Sequence, residues 1–265
     1  MIISFLGTGT IIPDPKFKSK RSYSAILVEI DKAKILFDIG PGTLTKMQSI
    51  GFNTQIFPDY LFITHFHIDH CLDYIALVKS RNFNTKTGNA EKGKLLEIFG
   101  PKGLKKWTKE IFSIEKWKYM KNQLDYTKVI NLNEVQNGLA IKKRNWKVTC
   151  CPINHDKGIA FRIDHFQKSF VYSGDMQYDE RLCALGKDAD LVALECSFPD
   201  KKSLKGKHLE PTSIIKLAKL GGFRKLVLTH MYPPVYGREK EIVKKIQDCT
   251  HIPVIISDDF KKIVL

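Results

Sequence analysis

Nowhere in this 265-residue chain does a hydrophobic run reach the ~18 residues that a membrane-crossing helix takes. Cysteine is scarce as well: six in all, scattered apart from the adjacent Cys150-Cys151, with no CxxC. That speaks against a zinc ribbon or a disulfide framework and makes a reducing cytoplasm the simplest setting. No GxGxxG occurs. The glycines of Gly7-Thr-Gly-Thr10 permit a sharp turn but have the wrong spacing for a dinucleotide fingerprint. No linker-like or low-complexity tract divides the chain, so residues 1–265 are expected to form one domain. The opening Met1-Ile-Ile-Ser-Phe-Leu-Gly7 lacks the basic region of a signal peptide and reads as a first strand. Acid is also in short supply, with 28 Asp+Glu against 43 Lys+Arg and a net charge of +15. Such a charge attracts polyanions, but a lysine-rich solvated surface gives the same number, so charge alone assigns no partner.

What is present is the composition of a soluble globular protein, 43% hydrophobic and 27% charged. The densest chemistry lies in Tyr60-Leu-Phe-Ile-Thr-His-Phe-His-Ile-Asp-His70. Its first five residues are apolar and aromatic and read as a buried strand. They run straight into His65, His67, Asp69 and His70. Side chains alternate along an extended segment, which puts His65 and His67 on one side. Asp69 and His70 precede a helix-like run from Leu72, where a turn can swing them to a second point nearby. The geometry suits two metal ions side by side, and imidazole with carboxylate suits Zn²⁺ or a similar transition ion. A chance cluster of surface histidines is the alternative. Four polar groups after a buried strand would, however, cost stability with nothing bound to them.

Periodicity places further strands at 1–6, 23–30, 34–37, 95–99, 191–194, 225–229 and, last, 253–257. Residues 139–152 read as a strand or a pair, and 159–163 with 169–172 as a hairpin turning at Asp164-His165. His165 is expected in that turn facing solvent, and His251 to be structural. Helices are expected at 44–50, from 72 to about 82, from 104 to about 121, at 211–220 and at 238–248. In the third of these, Leu104, Trp107, Ile111 and Ile114 share one face, which reads as core packing more readily than as a nucleic-acid platform. Basic loops are expected at 16–21 and 201–207. In both halves strands come first and alternate with helices later, and a strand ends on an acid, Asp38 and then Asp175. This supports an α/β fold of two sheets face to face with helices outside, a four-layer αββα sandwich.

His-x-His-x-Asp-His after an apolar strand resembles the signature of the metallo-β-lactamase-fold hydrolases. His67 stands where the redox-active diiron members carry Glu, which points to hydrolysis. Pro152-Ile-Asn-His155, Ser173-Gly-Asp175 and Leu226-Val-Leu-Thr-His230 follow in the order of that superfamily. The resemblance implies that His65, His67 and His155 hold one ion, that Asp69, His70 and His230 hold another, and that Asp175 bridges them. It places Asp38 behind a ligand, orienting it by a hydrogen bond. A water shared by two cations is acid enough to supply hydroxide near neutral pH, and the cations can neutralise charge growing on a phosphodiester or carbonyl oxygen. The leaving group then needs a proton, for which Glu195 and His208 are the candidates.

Glu195-Cys-Ser-Phe198, then His208, then Thr229-His230 is similar to the ribonuclease Z group of phosphodiesterases, in which a Glu and a following His are implicated in proton donation. Gly7-Thr-Gly-Thr10 and Arg21-Ser-Tyr-Ser24 also resemble that group. Two departures set the chain apart. Only 20 residues separate His155 from Asp175, which leaves no room for the long arm with which that group grips tRNA. After the last histidine the chain reads Met231-Tyr-Pro-Pro-Val-Tyr236. The implied function is a two-metal, ribonuclease Z-like phosphodiesterase with Asp69, Glu195 and His208 catalytic. The alternatives are hydrolysis of a lactone, thioester or sulfate ester, and a nucleic-acid-binding protein with a structural metal site. Two divalent ions are expected, Zn²⁺ foremost and Mn²⁺ or Fe²⁺ as substitutes. The expected partner is a phosphodiester or other small anionic substrate, RNA included, and no membrane. A homodimer is among the assemblies considered.

Overall fold

A computed structural model describes residues 1–12, 21–84, 86–117, 125–204 and 206–265. Most of the expected basic loop at 16–21 and the tail of the helix expected to reach 121 lie outside these residues. Two seven-stranded sheets form the framework. The first contains β1 (Ile2–Gly7), β2 (Ala25–Ile30), β3 (Ala33–Phe37), β4 (Tyr60–Phe62), β5 (Leu96–Gly100), β6 (Ile130–Glu134) and β14 (Lys262–Val264), in the order β14-β1-β2-β3-β4-β5-β6. The second contains β7 (Gly138–Lys142), β8 (Trp146–Pro152), β9 (Ile159–His165), β10 (Lys168–Tyr172), β11 (Leu191–Glu195), β12 (Leu226–Thr229) and β13 (Val254–Ile256), in the order β13-β12-β11-β10-β9-β8-β7.

Each half begins with antiparallel hairpins and ends with parallel pairs, β3 to β6 in one and β10 to β13 in the other. Parallel neighbours need long crossovers, and most of the helices sit in them. They are α1 (Thr43–Ser49), α2 (Ile68–Cys71), α3 (Tyr74–Ser80), α4 (Leu104–Phe112), α5 (Arg181–Leu185), α6 (Pro211–Gly221) and α7 (Glu239–Thr250). Strand ends of the parallel pairs therefore open at one end of the sandwich, where loops carry His65 and His70 from one sheet and Asp175 and His230 from the other.

Three apolar layers separate four layers of structure. Between the sheets, Phe62 stacks on Phe37 and Phe99 with centroids 5.2 and 4.8 Å apart and meets Phe161 edge-on at 5.2 Å. A second layer, including Leu61, Tyr74 and Leu104, lies between the first sheet and its helices, and a third, including Val192, Leu217 and Ile242, under the helices of the second. The expected αββα sandwich is the observed fold, and Trp107 does pack inward, stacked on Phe66 at 4.9 Å. Among the described residues no helix is long and apolar enough to cross a membrane.

Several details differ from expectation. The last strand is β14, which returns to pair with β1. It has three residues with one buried side chain, Ile263, too little pattern to notice. β6 is likewise absent from the sequence reading, because Asn131, Asn133 and Glu134 interrupt its two apolar residues. The helix expected from 72 starts at Ile68 and breaks before Tyr74, so Asp69 and His70 sit on the helical turn itself. α4 stops at Phe112, leaving Ile114 exposed. The short α5 is a further addition. His165 is not in the turn: it lies in β9 opposite Trp146, its side chain only 12% exposed and 3.6 Å from Asp31, and the turn is Phe166-Gln167.

Candidate metal centre

β3 ends at Asp38, whose φ of 58° puts a non-glycine residue in the left-handed region. The strain is held by a fully buried carboxylate that accepts from the Thr64 amide (2.8 Å), the Thr64 hydroxyl (2.9 Å), the Tyr172 hydroxyl (2.9 Å) and His70 Nδ1 (2.7 Å). β4 ends one residue before Ile63-Thr64 and delivers His65 and His67, and the N-terminus of α2 presents Asp69 and His70. β8 leads to His155, β10 to Asp175 and β12 to His230. Gly174 stands at φ 60° with Thr64 against it, where a Cβ would meet the Thr64 side chain at 2.8 Å. That close approach brings the two sheets' ligands together.

The ligand atoms of His65, His67, His155 and Asp175 all lie within 4.8 Å of one another, and those of Asp69, His70 and His230 form a second such group. Asp175 sits between them, with Oδ1 3.2 Å from His70 Nε2 and Oδ2 3.2 Å from His230 Nε2 and 3.9 Å from His65 Nε2. The imidazoles are held from behind. Thr64 Oγ1 is 2.9 Å from His65 Nδ1, Asp38 holds His70 Nδ1, and Ser197 Oγ lies 3.2 Å from His230 Nδ1. His155 Nδ1 donates to the Lys207 carbonyl at 2.9 Å. These contacts leave four Nε2 atoms turned to the centre. His67 is reversed: its Nε2 is 2.9 Å from Asp156, and its Nδ1 faces His155 Nε2 at 3.4 Å.

What the inward atoms bond to decides whether this is a cation site. His65 Nε2, His70 Nε2 and Asp175 Oδ1 are buried and make no hydrogen bond, although His70 and Asp175 approach to 3.2 Å. Buried polar atoms without partners are costly, so a nitrogen- and oxygen-rich cavity of this kind fits divalent cations. Electrostatics agree for His65. Burial, followed by the neighbouring His70, pushes the His65 pKa well below its usual value and keeps that ring neutral, as a ligand must be. Burial opposes charge on His70, but Asp175 and Asp38 outweigh it and hold its pKa well above the ordinary value. Burial likewise opposes charge on Asp175, and His230 and His70 outweigh it and hold the carboxyl well below the usual range.

His208 also falls near this group, within 4.8 Å of the ligand atoms of Asp175 and His230. Its nitrogens are engaged elsewhere: Nδ1 is 3.1 Å from each Glu195 oxygen, and Nε2 is 3.3 Å from the Tyr232 hydroxyl. Burial lowers the His208 pKa, but Glu195 prevails and raises it to about 9. Glu195 is fully buried, accepting from the Met176 and Leu209 amides and from the Ser197 hydroxyl. The two candidate proton donors thus form one pair in which His208 faces the cluster and Glu195 stands behind it.

Sequence reasoning missed the supports Thr64, Asp156, Ser197, Tyr172 and the Lys207 carbonyl; among the residues behind the ligands it marks only Asp38. It marked the Gly7-Thr-Gly-Thr10 loop after β1 but not that loop's contacts with the site, where the Ile11 amide donates to Asp69 Oδ2 at 3.2 Å and the Thr8 carbonyl accepts from the Met231 amide at 3.3 Å. Half-buried Asp259 anchors that loop, accepting from the Thr8 hydroxyl (2.8 Å), the Ser22 amide (2.8 Å) and Lys46. Asp38→Asn is expected to cost about 10- to 100-fold in affinity at the cation site that includes His70, because it weakens the bond fixing that ring. Competition titration with a chromogenic chelator measures it.

A family described as beta-lactamase superfamily domain matches residues 33–231. The ribonuclease Z of Methanothermobacter thermautotrophicus is 25% identical, with 87% of this chain and 86% of that protein covered. That of Haloarcula marismortui is 22% identical over 98% and 95%. Among solved structures, the metallo-beta-lactamase fold protein YhfI from Bacillus subtilis superimposes with a TM-score of 0.78 at 20% identity, covering 99% of this chain and 98% of that one. The short form of human tRNase Z gives 0.75 at 22% identity, covering 100% and 99%. Likeness at this level of identity is likeness of fold.

Proposed function

The chain belongs to the beta-lactamase superfamily, and from that premise we propose that it is a two-metal phosphodiesterase acting in the manner of ribonuclease Z. The observation that carries the reading is Asp175, placed between two groups of ligand atoms with a paired proton donor beside them. His65, His67 and His155 would hold one cation, Asp69, His70 and His230 the other, with Asp175 shared. When bound, the two ions supply a nucleophile at neutral pH and neutralise charge that grows on the phosphoryl oxygens. The histidine-rich set suits Zn²⁺, with Mn²⁺ and Fe²⁺ as substitutes.

The chain's own residues do the rest. Thr64, Asp38, Asp156, Ser197 and the Lys207 carbonyl fix the rings, so the inward atoms need no reorganisation when substrate arrives. Glu195, fully buried, sets both carboxylate oxygens 3.1 Å from His208 Nδ1 and fixes the proton there. That leaves His208 Nε2–H to donate to the departing oxygen, with the Tyr232 hydroxyl at 3.3 Å steadying it. Six unpaired cysteines fit a reducing compartment.

Hydrolysis of bis(p-nitrophenyl) phosphate tests the proposal. Protein stripped with a chelator is expected to be inactive and to regain turnover with Zn²⁺ or Mn²⁺. Two ions bound per chain without turnover would favour a lactone, thioester or sulfate ester instead.

A further inference from the structure

We propose that the end of the sandwich opposite the metal centre is a binding site for single-stranded RNA, built from the β7–β8 turn and the tip of the β9–β10 hairpin. The inference rests on the phosphodiesterase reading and deepens it by naming a polymeric substrate. β9 and β10 account for most of the interval between His155 and Asp175, and both are sheet strands, so nothing projects there to hold a long substrate.

The hairpin tip, with the adjoining β7–β8 turn, forms instead a compact basic surface at the far end. Lys142, Lys143 and Arg144 follow one another in the β7–β8 turn, all exposed, and Lys147 and Lys168 are exposed beside them. Among the described residues Lys142, Arg144 and Lys168 have no acidic partner, while the nearby acids are engaged. Asp164 is bonded to Arg162 at 2.8 Å, and Asp31 accepts from Asn145 at 3.2 Å. The patch is therefore net positive at close range, as a phosphate track requires.

Phe166 stands at the middle of this charge. It is 73% exposed, and its φ is 52°, a conformation that suits glycine or asparagine and strains a bulky residue. The positive φ is what a two-residue hairpin turn between the paired His165 and Lys168 demands, but a bulky, exposed aromatic ring is not what that turn selects. Its ring leans on His165 with centroids 4.5 Å apart. A shallow cavity of about 270 Å³ lies between Phe166 and the basic turn, with Trp146 in its wall. An aromatic face flanked by cations is how bases and phosphates of a single strand are held without regard to sequence.

Position sets the substrate class. β8 runs seven residues from Trp146 at this end to Pro152 near His155, roughly 20 Å at the usual rise per residue. A small diester cannot touch both ends, and an RNA strand can.

The test uses the metal-loaded protein and a fluorescein-labelled single-stranded RNA with a phosphorothioate backbone to slow hydrolysis, followed by anisotropy. Lys142→Glu/Lys143→Glu/Arg144→Glu is expected to lower the slope of log affinity against log salt by about 2, at ~0.7 per lost phosphate contact. Phe166→Asn relieves the strained turn, so it should fold at least as well, yet bind RNA roughly 5- to 100-fold more weakly through lost stacking. Both variants are expected to hydrolyse bis(p-nitrophenyl) phosphate at the wild-type rate. RNA affinity within twofold of wild type in both variants, or no RNA binding by the wild type, overturns the site. Binding that depends on these residues in a protein without phosphodiesterase activity would uphold the site and overturn the function proposed above.

Discussion

Asp175→Ala is expected to abolish cation binding at both positions and to lower turnover by a factor on the order of 10⁴, since it removes the element on which the whole unit depends. The residue is 2% exposed, and one of its oxygens makes no hydrogen bond at all. Among the described residues it is the carboxylate that reaches both imidazole groups, 3.2 Å from His70 and His230 and within 4.0 Å of His65 and His155. Without its charge, ions at this spacing would have no shared anion between them. Asp175→Asn keeps the shape and serves as the control for folding. Metal content by elemental analysis and turnover of bis(p-nitrophenyl) phosphate should fall together in both variants.

His208→Ala should show a different signature, one that depends on the leaving group. Protonation in the transition state contributes about 10²- to 10⁴-fold when the departing oxygen is a poor leaving group. On a diester that expels an alkoxide, such as an unmodified dinucleotide, the variant is expected to lose that much. On bis(p-nitrophenyl) phosphate, whose phenolate leaves readily without a proton, the loss should stay within about tenfold. Metal content should be unchanged, because both His208 nitrogens are engaged by Glu195 and Tyr232. Equal losses on both substrates would mean that His208 shapes the cation site rather than donating a proton.

The sandwich and the convergence of the candidate ligands were legible because strand ends carry them in a recognisable order. Each of Asp38, His155, Asp175 and His230 follows a buried apolar run, which is a local signal. What was not legible depends on contacts distant in sequence. Ser197 supports His230 from 33 residues away, and the Lys207 carbonyl supports His155 from 52. Nothing about a serine or a backbone carbonyl marks such a role in advance. Asp156 adjoins His155 but reads as a turn residue until the fold brings it to 2.9 Å from His67. Glu195 read as a candidate proton donor at a strand end, and its complete burial behind His208, a contact across 13 residues, was not visible in the sequence. β6 and β14 escaped notice because edge strands with a single buried side chain carry almost no alternation.

The most direct measurement is the metal content of protein purified without chelator, supplied with Zn²⁺ and freed of excess. Close to two ions per chain, falling to none in Asp175→Ala, is the expected result. A wild-type chain that retains none, or that keeps its metal when Asp175 is removed, would contradict a shared two-cation centre.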